Sequence, residues 1–106
     1  MNYLRIKKNK DFQKLLRKGK KCYSSSLVVL YAPAKSVRMG ICVGKKHGKA
    51  HTRNYIKRLL REVFRKQVTY LKGSYSFILL PKVREHYSYK EFEACLCGLL
   101  KKEKLT

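Results

Sequence analysis

Acidic residues are scarce in this chain. Asp11, Glu62, Glu85, Glu91, Glu93 and Glu103 are the only six among 106 residues. A protein that hydrolyses phosphodiesters with its own metal ions needs clustered carboxylates to hold them. No two of these acids fall in a motif that would build a two-metal site, and Glu91 sits where a helix cap belongs. This argues against a stand-alone metal nuclease. A lone histidine base at His47, His51 or His86 has nothing beside it to support the role. His47 and His51 are spaced to share a helical face, but no carboxylate or cysteine lies near enough in sequence to complete a zinc site. The C-x-x-C pair is absent as well. Cys22, Cys42, Cys95 and Cys97 lie in segments that look apolar or structural, so reduced thiols are expected. Long apolar runs are missing too. The longest, Leu27–Ala32 and Phe77–Pro81, fall far short of the roughly 20 residues that span a bilayer. The N-terminal Met1–Arg5 turns basic at once and offers no apolar signal region. No membrane partner and a cytoplasmic location are the expectations.

What is abundant is positive charge. Lys and Arg number 27, for a formal net charge of +21. Such an excess repels itself in a compact state and suggests a polyanionic partner, of which nucleic acid is the usual one. The apolar fraction of 44% is ordinary for a globular protein, so one folded domain over residues 1–106 is expected. Residues 1–7 and 101–106 read as flexible ends.

The apolar pattern sets the elements. Asn9 can cap a helix over Lys10–Lys18, with Phe12, Leu15 and Leu16 on one face and Gly19 as its stop. Leu27–Ala32 is apolar and β-branched and reads as a buried strand, and Arg38–Val43 as a second. The short loop between them, Pro33–Val37, suits an antiparallel hairpin. A short extra strand near Lys21–Ser24 is compatible with the pattern but not specified by it. Gly44–Ala50 is a basic loop, after which Thr52 can cap a helix running to about Gln67. Its apolar positions Ile56, Leu59, Leu60 and Val63 fall at i, i+3, i+4 and i+7. Tyr75–Leu80 is a strand ended by Pro81. Ser88 and Glu91 form a capping box for the last helix, and Tyr87 with Phe92 can staple it. The predicted fold is a two-layer α/β (α+β) sandwich, with a small mixed sheet of about four strands and three helices. The central basic helix lies in a β-α-β unit.

Two constellations stand out. Lys45, Lys46 and Lys49 precede the central helix, and Arg53, Lys57, Arg61 and Arg65 recur every four residues along it. Asn54 and Arg58 flank that stripe, and Glu62 is the only acid in the segment. Like charges at i, i+4 destabilise an isolated helix by about 0.2–0.5 kcal/mol per pair. A plain solvated face would interleave glutamate, so the stripe points to a polyanion. The helix start adds backbone N–H groups that favour phosphate. The second constellation is Phe12 and Leu16, one turn apart, with Tyr23, Leu30 and Tyr31 available from neighbouring strands and Lys8, Lys14, Arg17 and Lys20 around them. Rings among cations suit a single-stranded nucleic acid. The same spacing of Phe12 and Leu16 also suits an ordinary core face.

The run Gly44–Arg65, GKKHGKAHTRNYIKRLLREVFR, resembles the signature of the bacterial ribonuclease P protein subunit. So do Ile6–Phe12 followed by Gly19, Arg38–Ile41, and Tyr75–Ile78. The resemblance implies an α/β domain with a four-stranded sheet and a left-handed β-α-β crossover, contrary to the usual handedness. It implies binding to a large catalytic RNA subunit, one protein per RNA, and to precursor tRNA, whose 5′ leader is removed. It implies Mg2+ held mainly by the RNA and substrate, with no catalytic residue and no metal ligand in the protein. By position, Lys45, Lys46, Lys49, Arg53, Asn54, Lys57, Arg58, Arg61 and Arg65 match the family's RNA-binding motif, and Lys8, Phe12, Leu16, Val28 and Leu30 its leader cleft. Tyr55 departs from the usual repeated arginine, and Leu16 and Leu30 from positions where aromatics are common. The competing reading is a structural RNA-binding protein, such as a ribosomal protein.

Overall fold

The computed structural model describes residues 3–6 and 9–106. The elements run β1 (Leu4–Arg5), α1 (Asn9–Lys18), β2 (Lys20–Tyr23), β3 (Leu27–Pro33), β4 (Arg38–Ile41), α2 (Ala50–Val68), β5 (Tyr75–Pro81) and α3 (Tyr89–Lys102). A single 3-10 turn, Lys45–His47, precedes α2. The strands form one mixed sheet in the order β1-β4-β5-β3-β2. The α+β sandwich of the sequence is therefore present, with five strands instead of four. The fifth is β1, two exposed residues parallel to β4.

The expected hairpin between Leu27–Ala32 and Arg38–Val43 does not form. β5 lies between β3 and β4, antiparallel to the first and parallel to the second. The physical reason lies in β5 itself. Phe77, Ile78 and Leu79 are consecutive and all fully buried, so this strand needs cover on both faces and a partner on both sides. β4 has only four residues, with a glycine among them, and is confined to a flank. Among the described residues the one true hairpin is β2–β3, with Lys20 opposite Tyr31 and Tyr23 opposite Val28.

The strands alternate between two cores. Leu27, Val29, Met39, Phe77 and Leu79 join Ile56, Leu60, Val63 and Phe64 of α2 and Phe92, Leu96 and Leu100 of α3 in the main core. Phe64 meets both Tyr3 and Phe77 edge-on, at centroid distances of 4.9 and 5.3 Å. Leu30 and Ile78 point the other way, against Leu15 of α1, with Phe12, Leu16, Val28 and Leu80 partly covered around them.

Both chain ends contribute packed residues. Tyr3–Ile6 carries β1 and packs Tyr3 on Phe64, and Ile6 N donates to Met39 O. The remaining residues of the expected flexible 1–7 segment, 1, 2 and 7, lie outside the described residues. The 101–106 tail folds back: Leu105 is buried, and its carbonyl accepts from Lys72 N. Glu103 accepts from Tyr31 Oη and pairs with Lys20 Nζ, both at 2.6 Å. Helix α2 begins at Ala50, with Lys49 in the cap position, so Thr52 lies in its first turn and not at its cap. For α3 the start and the staple follow the sequence reading, since Ser88 Oγ accepts from Glu91 N at 3.1 Å and the Tyr87 ring stacks near Phe92. The expected capping box is only half formed: the Glu91 carboxylate pairs with Arg84.

Candidate nucleic-acid interface

The basic loop leaves the end of β4 and turns through Lys45–His47 into α2. His47 holds it in place. Its Nε2 donates to Pro81 O at 2.7 Å, and its Nδ1 accepts from Gly44 N at 3.1 Å. This histidine ties the loop to the end of β5. Gly48 has φ 116°, a left-handed conformation that disfavours any side chain, and it lets the backbone turn into the helix. Lys45, Lys46 and Lys49 are exposed on this anchored loop.

Along α2 the buried face is Ile56, Leu59, Leu60, Val63, Phe64, Gln67 and Val68. Arg53 and Lys57 are half-buried at its border, while Asn54, Arg58, Arg61 and Arg65 are exposed. Arg53 Nε is shielded from solvent and makes no hydrogen bond among the described residues, leaving a buried donor that needs an acceptor. Arg58 lies over the Tyr55 ring, 5.4 Å from its centroid. The tyrosine found at a usual arginine position thus orients its cationic neighbour, a contact worth about 0.5–1 kcal/mol at an exposed site.

Three members of the stripe face Phe12 across one cavity. Lys57, Arg61 and Arg65, together with Arg5 of β1, rim a space of about 470 Å3 whose apolar lining includes Ile6, Phe12 and Met39. The two constellations of the sequence are neighbours in space, joined at the β1–β4 edge of the sheet. Gly40 makes this approach workable. A Cβ there would stand 2.7 Å from Phe12 Cε2, so the ring lies directly on the strand backbone. Arg5 is not singled out by the sequence pattern, and Gly40 enters it only within Arg38–Ile41, with no role attached. Arg5 gains its role from a strand too short to show periodicity.

The groove beside α1 contains some of the expected residues and not others. Phe12, Leu16 and Val28 are half-exposed on it. Leu30 is fully buried beneath α1, so it supports the floor and cannot touch a ligand. Lys8 lies outside the described residues. Tyr31 points to the opposite face, where its hydroxyl donates to Glu103. That contact, after burial, raises the Tyr31 phenol far above its ordinary pKa. Lys20 is engaged by the same carboxylate. Leu80, opposite Val28, completes the floor and is missed by the sequence reading because its face depends on strand register.

Comparison with known proteins supplies the family and the fold. Residues 1–104 match the family model described as Ribonuclease P. The chain is 38% identical over 103 residues to the Ribonuclease P protein component of Clostridium botulinum (strain Loch Maree / Type A3), covering 92% of each. It is 42% identical over 90 residues to that of Dictyoglomus turgidum, covering 83% of this chain and 76% of the relative. Among solved structures, the RNase P protein of Staphylococcus aureus superposes with a TM-score of 0.84 at 32% identity, covering 99% of this chain and 98% of that one. The RNase P protein from Thermotoga maritima gives 0.82 at 28% identity, covering 92% and 96%. With both the sequence and the fold matched over nearly their whole length, this chain belongs to the ribonuclease P protein component family.

Proposed function

We propose that the chain binds the catalytic RNA of ribonuclease P through its basic loop and the α2 stripe, and the 5′ leader of precursor tRNA through the groove beside α1. The observation that carries this reading is the shared cavity, where Lys57, Arg61 and Arg65 face Phe12. A phosphate backbone along the cations puts a neighbouring base against the ring. Arg53 Nε gains an acceptor if a phosphate oxygen reaches it. The family assignment favours this over a structural RNA-binding protein of the ribosome.

The hydrolysis belongs to the RNA, with one protein per RNA. Magnesium seeks carboxylate or phosphate oxygens. The cationic face offers neither, and among the described residues no three His, Cys, Asp or Glu side chains gather as a metal site. The chain's residues therefore do not suit magnesium, and no chemical step is assigned to them. Their contribution is to bind, orient and offset repulsion between two RNAs, so that the RNA's own phosphates keep the metal. No helix among the described residues is long and apolar enough to cross a membrane, and the proposed place of action is the cytoplasm.

Reconstitution tests this reading. The purified protein should not cleave precursor tRNA at any magnesium concentration. The cognate RNA alone should cleave slowly and only at high magnesium. Adding the protein should lower that requirement without moving the cleavage site. Cleavage at the leader junction by nuclease-treated protein would overturn the assignment.

A further inference from the structure

The leucines at positions 16 and 30 leave the centre of the groove without a π face. Leu16 is only partly exposed, and Leu30 lies fully buried under α1. An exposed ring is supplied from elsewhere on the same face. Cys22 of β2 points into the main core, so Tyr23, the next residue, points to the α1 side. The register agrees. Tyr23 stands opposite Val28, and Val28 opposite Leu80, and residues directly opposite each other share a face. The groove floor therefore continues from Leu80 through Val28 to Tyr23 at the outer edge of the sheet.

Tyr23 is 64% exposed, yet its support is rigid. The β2–β3 turn is closed by Ser24 N and Ser24 Oγ, which both donate to Leu27 O, at 3.0 and 2.7 Å. Lys82 N donates to Ser26 O and joins this turn to the end of β5. Lys21, two residues before Tyr23 and opposite Leu30, is exposed on the same face. A fixed, solvent-facing ring beside a cation, in line with an apolar floor, is the arrangement that stacks a base and meets its phosphate.

We infer that Tyr23 is a further leader-binding residue of the groove, stacking a leader base at the outer edge of the sheet while Lys21 meets the adjoining phosphate. The inference rests on the groove taking the leader. It also fixes a direction and a length. Phe12 lies on Gly40 of β4, and Tyr23 lies three strands away on β2. Across the sheet Gly40 lines up with Lys21, two residues short of Tyr23. Three strand spacings of about 4.8 Å and two residues along the strand put the rings about 16 Å apart. A stacked strand advances about 3.4 Å per nucleotide, so about five nucleotides lie between the two rings.

The experiment uses the reconstituted holoenzyme and precursor tRNAs with leaders from about two to about ten nucleotides. Tyr23→Ala should weaken binding about 5- to 150-fold, but only for leaders about five nucleotides longer than those that first respond to Phe12→Ala. Tyr23→Phe should restore binding, and Tyr23→Leu should not. The chain contains no tryptophan, so Tyr23→Trp supplies a single reporter whose fluorescence should change on binding long leaders and not short ones. A loss at Phe12 with none at Tyr23 for any leader overturns the inference and leaves the leader groove standing. A Tyr23→Ala loss independent of leader length, or full rescue by leucine, overturns base stacking there. No loss at either ring overturns the groove reading itself.

Discussion

On one side of the sheet α2 and α3 close over Val29, Phe77 and Leu79; on the other, α1 alone covers Leu30 and Ile78 and leaves Val28 and Leu80 half-exposed. The same strands supply both sides, residue by residue. The closed side has aromatic rings in edge contact and full burial; the open side has one helix with a cavity and cations beside it, and the larger cavity lies at the β1–β4 edge where the two sides meet. The difference separates what keeps the chain folded from what it offers to a partner. A substitution should therefore act on stability or on binding according to the face it occupies.

The largest effect is expected on the closed side. Phe64→Ala should lower the unfolding free energy by about 3–5 kcal/mol, measured by urea titration. Phe12→Ala on the open side should cost only about 1 kcal/mol of stability. A similar loss at both positions would erase the distinction between the faces.

Binding should reverse the order. Phe12→Ala should weaken the affinity for precursor tRNA by about 1–3 kcal/mol if a base stacks there, and leave mature tRNA almost unchanged. Gly40→Ala sharpens the point, because its new Cβ must displace the Phe12 ring. It should reproduce the precursor-specific loss without touching the ring chemically. Equal losses for precursor and mature tRNA would return Phe12 to a purely core role.

A smaller effect is expected at the rim. With about six to ten phosphate contacts, affinity for the RNA should fall roughly 10³–10⁵-fold between about 50 and 200 mM salt. Arg61→Ala should flatten the slope of log affinity against log salt by about one unit if it meets one phosphate. An unchanged slope would remove Arg61 from the interface.

The smallest effect concerns the closed side's outer latch. Hydrogen bonds from Lys20 and then Tyr31 hold the Glu103 carboxyl below its ordinary range. A depressed carboxyl stabilises the fold above its unfolded pKa, about 4.3, and loses that contribution as pH falls through its lowered folded value. Lys20 and Tyr31 are both raised, so their side of the latch is intact at neutral pH and is lost only in strong base. Urea titrations of Glu103→Gln below about pH 5 should show a shallower acid decline than the parent chain, with little change in RNA affinity. An identical acid limb would mean that the latch does not contribute.

Much of this was legible in the sequence where local pattern decides. The i, i+3, i+4, i+7 repeat of Ile56, Leu59, Leu60 and Val63 gave α2, and Ser88 with Glu91 gave the start of α3. The cationic stripe was visible because side chains four apart on a helix must line up. Long-range choices were not legible. Nothing in Pro33–Val37 shows that a later strand will separate β3 from β4. Alternation put Tyr31 and Leu30 on opposite faces, but which face stays open depends on where α1 lies. Leu30 and Tyr31 therefore left the candidate groove, while Leu80 and Arg5 entered the interface.

The central position of β5 also has a consequence in time. Leu27 pairs with Pro81, half the chain away, and β4 reaches β3 and β2 only through β5. A nascent chain that has emerged only as far as Gly73 has made α2 and its cations but cannot close the sheet beneath them. Non-local pairing of this kind slows folding and leaves apolar surface waiting for its last strand. During that interval the helix is already a polycation, and a nearby RNA can neutralise its like-charge repulsion before the core is complete. If α2 binds RNA in that interval, assembly with RNA and completion of the fold should be coupled. Refolding followed by stopped-flow should accelerate when RNA is present from the start, and a rate indifferent to RNA would separate the two.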